Sequence, residues 1–154
     1  MVRRAIEGGG YAVGVVARMA PMGRVLTGYF FGPRRAEVPT LEEVRGHRPK
    51  LAVLVQRFGD LHLMEDKWPV LGYDDSWQRE EWPMPAFGRY VESDGKAWRV
   101  EYKGDDPNSV PRETRISVEE SQELPNNGLL GAGAVEIRLS KLLGDPAAMS
   151  SQTN

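Results

Sequence analysis

Two histidines, His47 and His62, are where a general base or a metal ligand would first be sought, because imidazole alone titrates near neutrality without perturbation. His47 sits in the charged run RGHRPK, which reads as a solvated loop. His62 sits in LHLM between two leucines; as a strand, that run turns the imidazole away from the leucines, toward an exposed rim. Nothing around any serine resembles a nucleophile elbow, and two isolated histidines without cysteine make a poor metal site. Acidic pairs occur at Asp74–Asp75, Glu80–Glu81, Asp105–Asp106 and Glu119–Glu120. Carboxylates act as acid and base only where they converge. These pairs fall in turns and loops, which favours solvated surface or a partner-facing patch. GDDPNS lacks the alternating ligands and distal glutamate of a calcium loop and reads as a polar turn. GGG at 8–10 precedes a strand and lacks the Lys-Ser/Thr ending of a phosphate loop. Arg34–Arg35 reads as a charged turn before it reads as a phosphate grip. The residue pattern therefore points to binding, with no catalytic residue, metal or cofactor expected.

The composition narrows the class further. The 154 residues suit one domain, expected over 1–146, with a polar, disordered tail at 147–154. Hydrophobic content of 40% and charged content of 27% are those of a globular chain. A net charge of −2, with no basic stripe, argues against a nucleic-acid partner. The lack of cysteine removes disulfides and thiolate chemistry and suits a reducing cytosol. MVRRAIEGGG has arginines but no apolar stretch behind them, so no secretory signal is expected. No apolar run approaches the roughly 20 residues of a membrane span, so the protein is expected to be soluble and cytoplasmic.

The elements that would position these groups are mostly strands. GGYAVGVVAR and RVLTGYFF, joined by a Pro21–Gly23 turn, form a hairpin; the interior glycines Gly14 and Gly28 mark a bulge or bend. Thr40 and Glu43 form a capping box, predicting a helix over about 40–46. KLAVLVQRF, 50–58, reads as a strand buried on both faces, followed by short strands at LHLM and Trp68–Leu71. Residues 73–87 have little periodicity and read as an irregular loop pinned by Trp77, Trp82 and Phe87. Trp98, Val100 and Tyr102 alternate with charged residues in a half-exposed strand, with 112–116 as its hairpin partner and a second capping box at Ser117 and Glu120. Residues 134–143 fit both helix and strand periods; the leucine-rich end and the Gly144, Pro146 stop favour helix.

GGGYAVGVVARMAPMGRVLTGYFFGPRR and LAVLVQRFGDLHLMEDKWPVLG together resemble the Imm26 family of immunity proteins from bacterial polymorphic toxin systems. The shared pattern is a glycine-rich aromatic hairpin, then a strand and a Trp-Pro-hydrophobic-hydrophobic-Gly element. It covers about 9–103, and the remainder looks like a subgroup extension. The resemblance implies a cytoplasmic binding protein whose partner is a cognate toxin domain, and it carries no catalytic residue to transfer. The alternative is a non-catalytic regulatory or scaffold domain that binds a peptide or protein, for instance along a sheet edge.

The expected fold is α+β: a twisted antiparallel sheet or partly closed barrel of about five to seven strands, with two or three short helices. The candidate partner-binding residues are Asp74, Asp75, Trp77, Glu80, Glu81 and Trp82, which combine aromatic anchors with carboxylates as an interface centre and rim would.

Overall fold

The structure is a computed structural model and describes residues 2–5 and 9–144. The 147–154 tail therefore lies outside the described residues. Two sheets form an α+β fold. The first has the order β1 (Val2–Ala5), β2 (Tyr11–Met19), β3 (Val25–Arg35), β4 (Leu54–Gly59), β8 (Leu129–Leu130). The second is a meander of β5 (Phe87–Val91), β6 (Lys96–Glu101) and β7 (Arg112–Ile116). Four helices accompany them: α1 (Leu41–Val44), α2 (Leu61–Met64), α3 (Val118–Glu123) and α4 (Ala132–Leu143). Neither sheet closes into a barrel, and β8 joins β4 in parallel where an antiparallel sheet was expected. None of the described helices is long and apolar enough to cross a membrane.

β3 is the axis of the fold. Every residue from Val25 to Phe31 is buried, so the strand carries apolar side chains to both faces of its sheet. Within 50–58 the expected burial on both faces is confined to Gln56–Phe58. Pro49 sets up a short 3-10 turn, Pro49–Leu51, which leaves Leu51 and Val53 exposed and starts β4 only at Leu54. On one face, Leu26 and Phe30 of β3 meet Phe58 of β4, Trp68, and Val135 and Leu139 of α4. The ambiguous 134–143 segment is thus a helix, with Val135 and Leu139 a turn apart on its buried stripe.

Gly14 and Gly28 make room on that face. Gly14 lies opposite Phe30 across the β2–β3 ladder, and a Cβ there would come 2.7 Å from the Phe30 ring. A Cβ on Gly28 would meet the Phe58 ring at 2.9 Å and Phe30 at 3.1 Å. The glycines do not simply bend the strands; they let two rings lie across the backbone. A ladder irregularity does occur, between Val16 and Arg18.

Two expected strands are absent. LHLM is helix α2: Met64 N–H and Leu63 N–H both donate to the Asp60 carbonyl, and four apolar-alternating residues are too few to separate the two periods. Trp68–Leu71 forms no strand: Trp68 lies in a bend with its N–H donating to the His62 carbonyl at 3.0 Å, and Val70 makes a single bridge. Trp68 leaves the chain for the core, 5.4 Å from Phe58 and 6.2 Å from Phe30, with its indole N–H on Glu136 at 2.8 Å. Both capping boxes close as expected, at Thr40–Glu43 and Ser117–Glu120.

The sheets are fastened by arginines on the second face of the first sheet. Arg57 Nε and Nη2 donate to the Pro107 carbonyl at 2.9 and 2.7 Å, and Nη1 to Asn127 O at 3.1 Å. Its guanidinium lies 4.2 Å from the centre of the Tyr102 ring. Arg18, buried, reaches Asp105 at 3.1 Å. The GDDPNS turn is therefore the piece that docks the second sheet to the first, which its polar composition concealed.

Gly28→Ala is expected to destabilise the fold by about 1–3 kcal/mol through overpacking. Gly133→Ala, where a Cβ meets nothing within 4 Å, should be neutral or stabilising by up to about 1 kcal/mol. Urea unfolding of both variants checks the contrast.

Candidate functional site

The second face of the first sheet is covered by a loop that includes a short 3-10 helix, Arg79–Glu81. Val15, Ala17, Tyr29 and Phe31 are buried there, and what covers them is Trp82. Its ring packs edge-on to Tyr29 at 5.3 Å and to Phe31 at 5.9 Å. Around it the chain is tied down. Tyr29 Oη donates to Pro83 O at 2.6 Å, Thr27 Oγ1 lies 3.4 Å from Met84 Sδ, and Arg18 Nη2 donates to Arg79 O at 3.3 Å. Burial raises the Tyr29 phenol above its ordinary pKa, the nearby Arg18 charge opposing. Within residues 73–84 the local order is limited to a turn at Asp74–Trp77 and the 3-10 helix, Arg79–Glu81, and bonds to the sheet fix how they lie.

The six candidate residues separate accordingly. Trp82 is buried, 3% exposed, so it anchors the loop and presents no surface to a partner. Trp77 and Asp74 are half-buried, while Asp75, Glu80 and Glu81 are exposed. Ser76 donates to Asp74 Oδ1 through its hydroxyl at 2.6 Å and its backbone N–H at 3.0 Å. These two bonds hold the Asp74 carboxyl below the usual carboxylate range, so it stays anionic near neutral pH.

Trp77 and Asp74 line two cavities. A polar one of about 210 Å³ includes His47, Arg48, Glu81 and Trp82. His47 is not the solvated loop residue its surroundings suggested. It is half-buried, its Nδ1 donates to the Val44 carbonyl at 2.7 Å, and its ring lies 4.7 Å from that of Phe31. The other cavity is an apolar groove of about 400 Å³, with Val15, Val16, Met19, Leu63, Val70 and Tyr73 in its walls. Met19, Val70 and Tyr73 are 60%, 52% and 84% exposed, so the groove opens onto an apolar rim. The residue types gave notice of this only at Tyr73, beside the acids; Met19, Leu63 and Val70 come from three separate segments that only the fold assembles.

His62 belongs to the packing around Trp68. Its Nδ1 is 3.4 Å from Glu136 Oε1, the same oxygen that accepts the Trp68 indole N–H, and its ring lies 5.6 Å from that of Trp68. No group of three or more His, Asp or Glu among the described residues could hold a metal.

The family model of Imm26, Immunity protein 26, matches residues 3–99. The chain belongs to the Imm26 family. No curated protein and no solved structure matches it. The Imm26 match takes in β2, β3, β4, the acidic loop and the apolar groove, but not α4, which packs against Leu26, Phe30 and Phe58. What looked like an appended extension after 103 is thus integral to the core of the Imm26 portion.

Trp82→Ala is expected to cost about 3–5 kcal/mol by opening the covered face. Reversing Glu80 and Glu81 to lysine should leave stability within about 0.5 kcal/mol, as denaturant titration would register. The raised Tyr29 pKa contributes stability that is present below the unfolded tyrosine value of about 10 and is lost as pH rises through the folded value. Tyr29→Phe should therefore weaken the loss of thermal stability between neutral and strongly alkaline pH, as calorimetry across that range would detect.

Proposed function

We propose that this chain is an immunity protein that binds a cognate polymorphic-toxin domain in the cytoplasm of the producing cell and blocks its active site or substrate groove. It acts as a stoichiometric binder and catalyses nothing. The observation that carries this reading is the loop held by Trp82, which offers Asp75, Glu80 and Glu81 to solvent beside an open apolar groove in a chain of the Imm26 family. Apolar area at the centre and charge at the rim is how a protein interface is composed. Holding the carboxylates on a pinned loop removes ordering cost from the binding step. The acidic rim suits a basic toxin, such as a nuclease whose own surface is built to meet phosphate. Opposite charge speeds encounter and excludes wrong partners.

Co-expression with the toxin C-terminal domain encoded beside this chain is expected to restore growth and give a complex that survives purification. Rescue without a complex would count against binding as the mechanism. Within the complex, reversing Asp74, Asp75, Glu80 and Glu81 together should slow association by about tenfold or more at low salt, with a smaller effect at high salt. Stopped-flow mixing measures this; an unchanged association rate would remove the acidic loop from the interface.

A further inference from the structure

Met19, Met22, Leu61, Met64, Val70 and Tyr73 are large apolar side chains left exposed in one region of the surface. Met19, Val70 and Tyr73 line the apolar groove, with Leu63 of α2 beside them. Met22 lies in the turn between β2 and β3, and Leu61 and Met64 lie on α2, three residues apart on one side of that helix. The turn and α2 are tied together: Arg24 N–H donates to Asp60 Oδ2 at 2.9 Å, and Asp60 N–H donates to the Arg24 carbonyl at 3.2 Å. The exposed side chains of the turn and the helix therefore extend the rim of the groove. Single exposed apolar residues need no explanation, whereas a patch of them marks a binding surface. Methionine suits such a surface, because its unbranched, polarisable chain adapts to a partner's shape.

The charge beside this patch is mostly of one sign. Residues 60–75, which supply α2 and part of the groove wall, carry Asp60, Glu65, Asp66, Asp74 and Asp75 against one lysine, Lys67. That lysine is already paired with Glu65 at 2.6 Å, and His62 is turned toward Glu136 at 3.4 Å. The turn at 20–24 carries one charge, Arg24. A second copy of this chain would set acid against acid here, which disfavours self-association through the patch. The complementary partner carries lysine or arginine beside its apolar residues. Its secondary structure follows from what the walls offer. Val15 and Ala17 of β2 are buried, and the side chains lining the groove are apolar or aromatic apart from Asp74. A segment that lays apolar side chains against such walls has to satisfy its own peptide groups, and a helix does so within itself.

We propose that the apolar groove, together with Met22, Leu61 and Met64, docks a basic amphipathic helix of the toxin domain, with lysines or arginines of that helix meeting Asp66, Asp74 and Asp75. This rests on the immunity reading above and names the part of the toxin that is held. Apolar anchors at helical spacing supply affinity in this mode of recognition, and the flanking charges fix orientation.

The test is amide hydrogen exchange of the full chain and of the neighbouring-gene toxin domain carrying an inactivating substitution, each alone and then mixed. Docking slows exchange in 19–24 and 61–75 of this chain, and in one toxin stretch whose lysines or arginines flank apolar residues at helical spacing. Replacing Met22 and Met64 together by serine weakens binding by about tenfold or more, while circular dichroism of the free chain is unchanged. A complex protected elsewhere on this chain, or one that the double variant forms as tightly as the parent, overturns helix docking and leaves the immunity reading standing. A protected toxin stretch without basic residues does the same, as does a free chain that sediments as a dimer until Met22 and Met64 are replaced. No complex at all with a toxin shown to be active in its uninactivated form overturns both.

Discussion

The rest of the molecule depends on covering a sheet that is apolar on both faces. β3 cannot show either face to water, since its residues from Val25 to Phe31 are all buried. One face is closed conventionally, by α4 and Trp68. The other is closed by a loop, and the loop succeeds because Trp82 supplies a large apolar area in one side chain while Tyr29 and Arg18 satisfy the carbonyls that a loop leaves unpaired. A segment carrying four carboxylates within eight residues, Asp74 to Glu81, is held in one shape by the core beneath it.

The same economy appears where the two sheets meet. Arg57 brings a charge into the interior, a costly placement unless every donor is used. Here its nitrogens reach the Pro107 and Asn127 carbonyls and its plane lies over Tyr102. Burial lowers the guanidinium's pKa, with Tyr102 opposing, yet arginine remains charged throughout the neutral range. Because the partners are backbone carbonyls of turns, the turns at 105–109 and 126–128 need no regular structure of their own. Loop conformation in this fold is largely dictated by side chains arriving from strands.

Much of the architecture was legible in the residues. The hairpin of β2 and β3, the existence of β6, its pairing with β7 and both capping boxes follow from period and end signals, although Ala97 and Val100 are the buried residues of β6 and Tyr102 lies beyond it. The helical end follows too, once Gly144 and Pro146 are weighed against the alternation of Val135, Ile137 and Leu139. The failures have a common cause. LHLM and KLAVLVQRF were too short or too uniformly apolar for periodicity to separate strand from turn or helix. His47 and the GDDPNS turn looked solvated because composition does not register a long-range partner. In the candidate site, the acidic residues and Trp77 could be named from local composition. Trp82 could be named but not assigned to the interior. The groove could not be found at all, since its walls come from β2, from α2 and from the stretch before the acidic loop.

The central claim is neutralisation by one-to-one binding through this surface. Titrating purified chain into a fixed amount of active toxin domain, with the toxin's own reaction as readout, tests it most directly. Binding predicts that activity falls linearly and reaches its floor at one chain per toxin. Complete loss of activity at a small fraction of that ratio, deepening with time, would mean that the chain acts catalytically and would contradict the account, as would full toxin activity in the presence of excess chain.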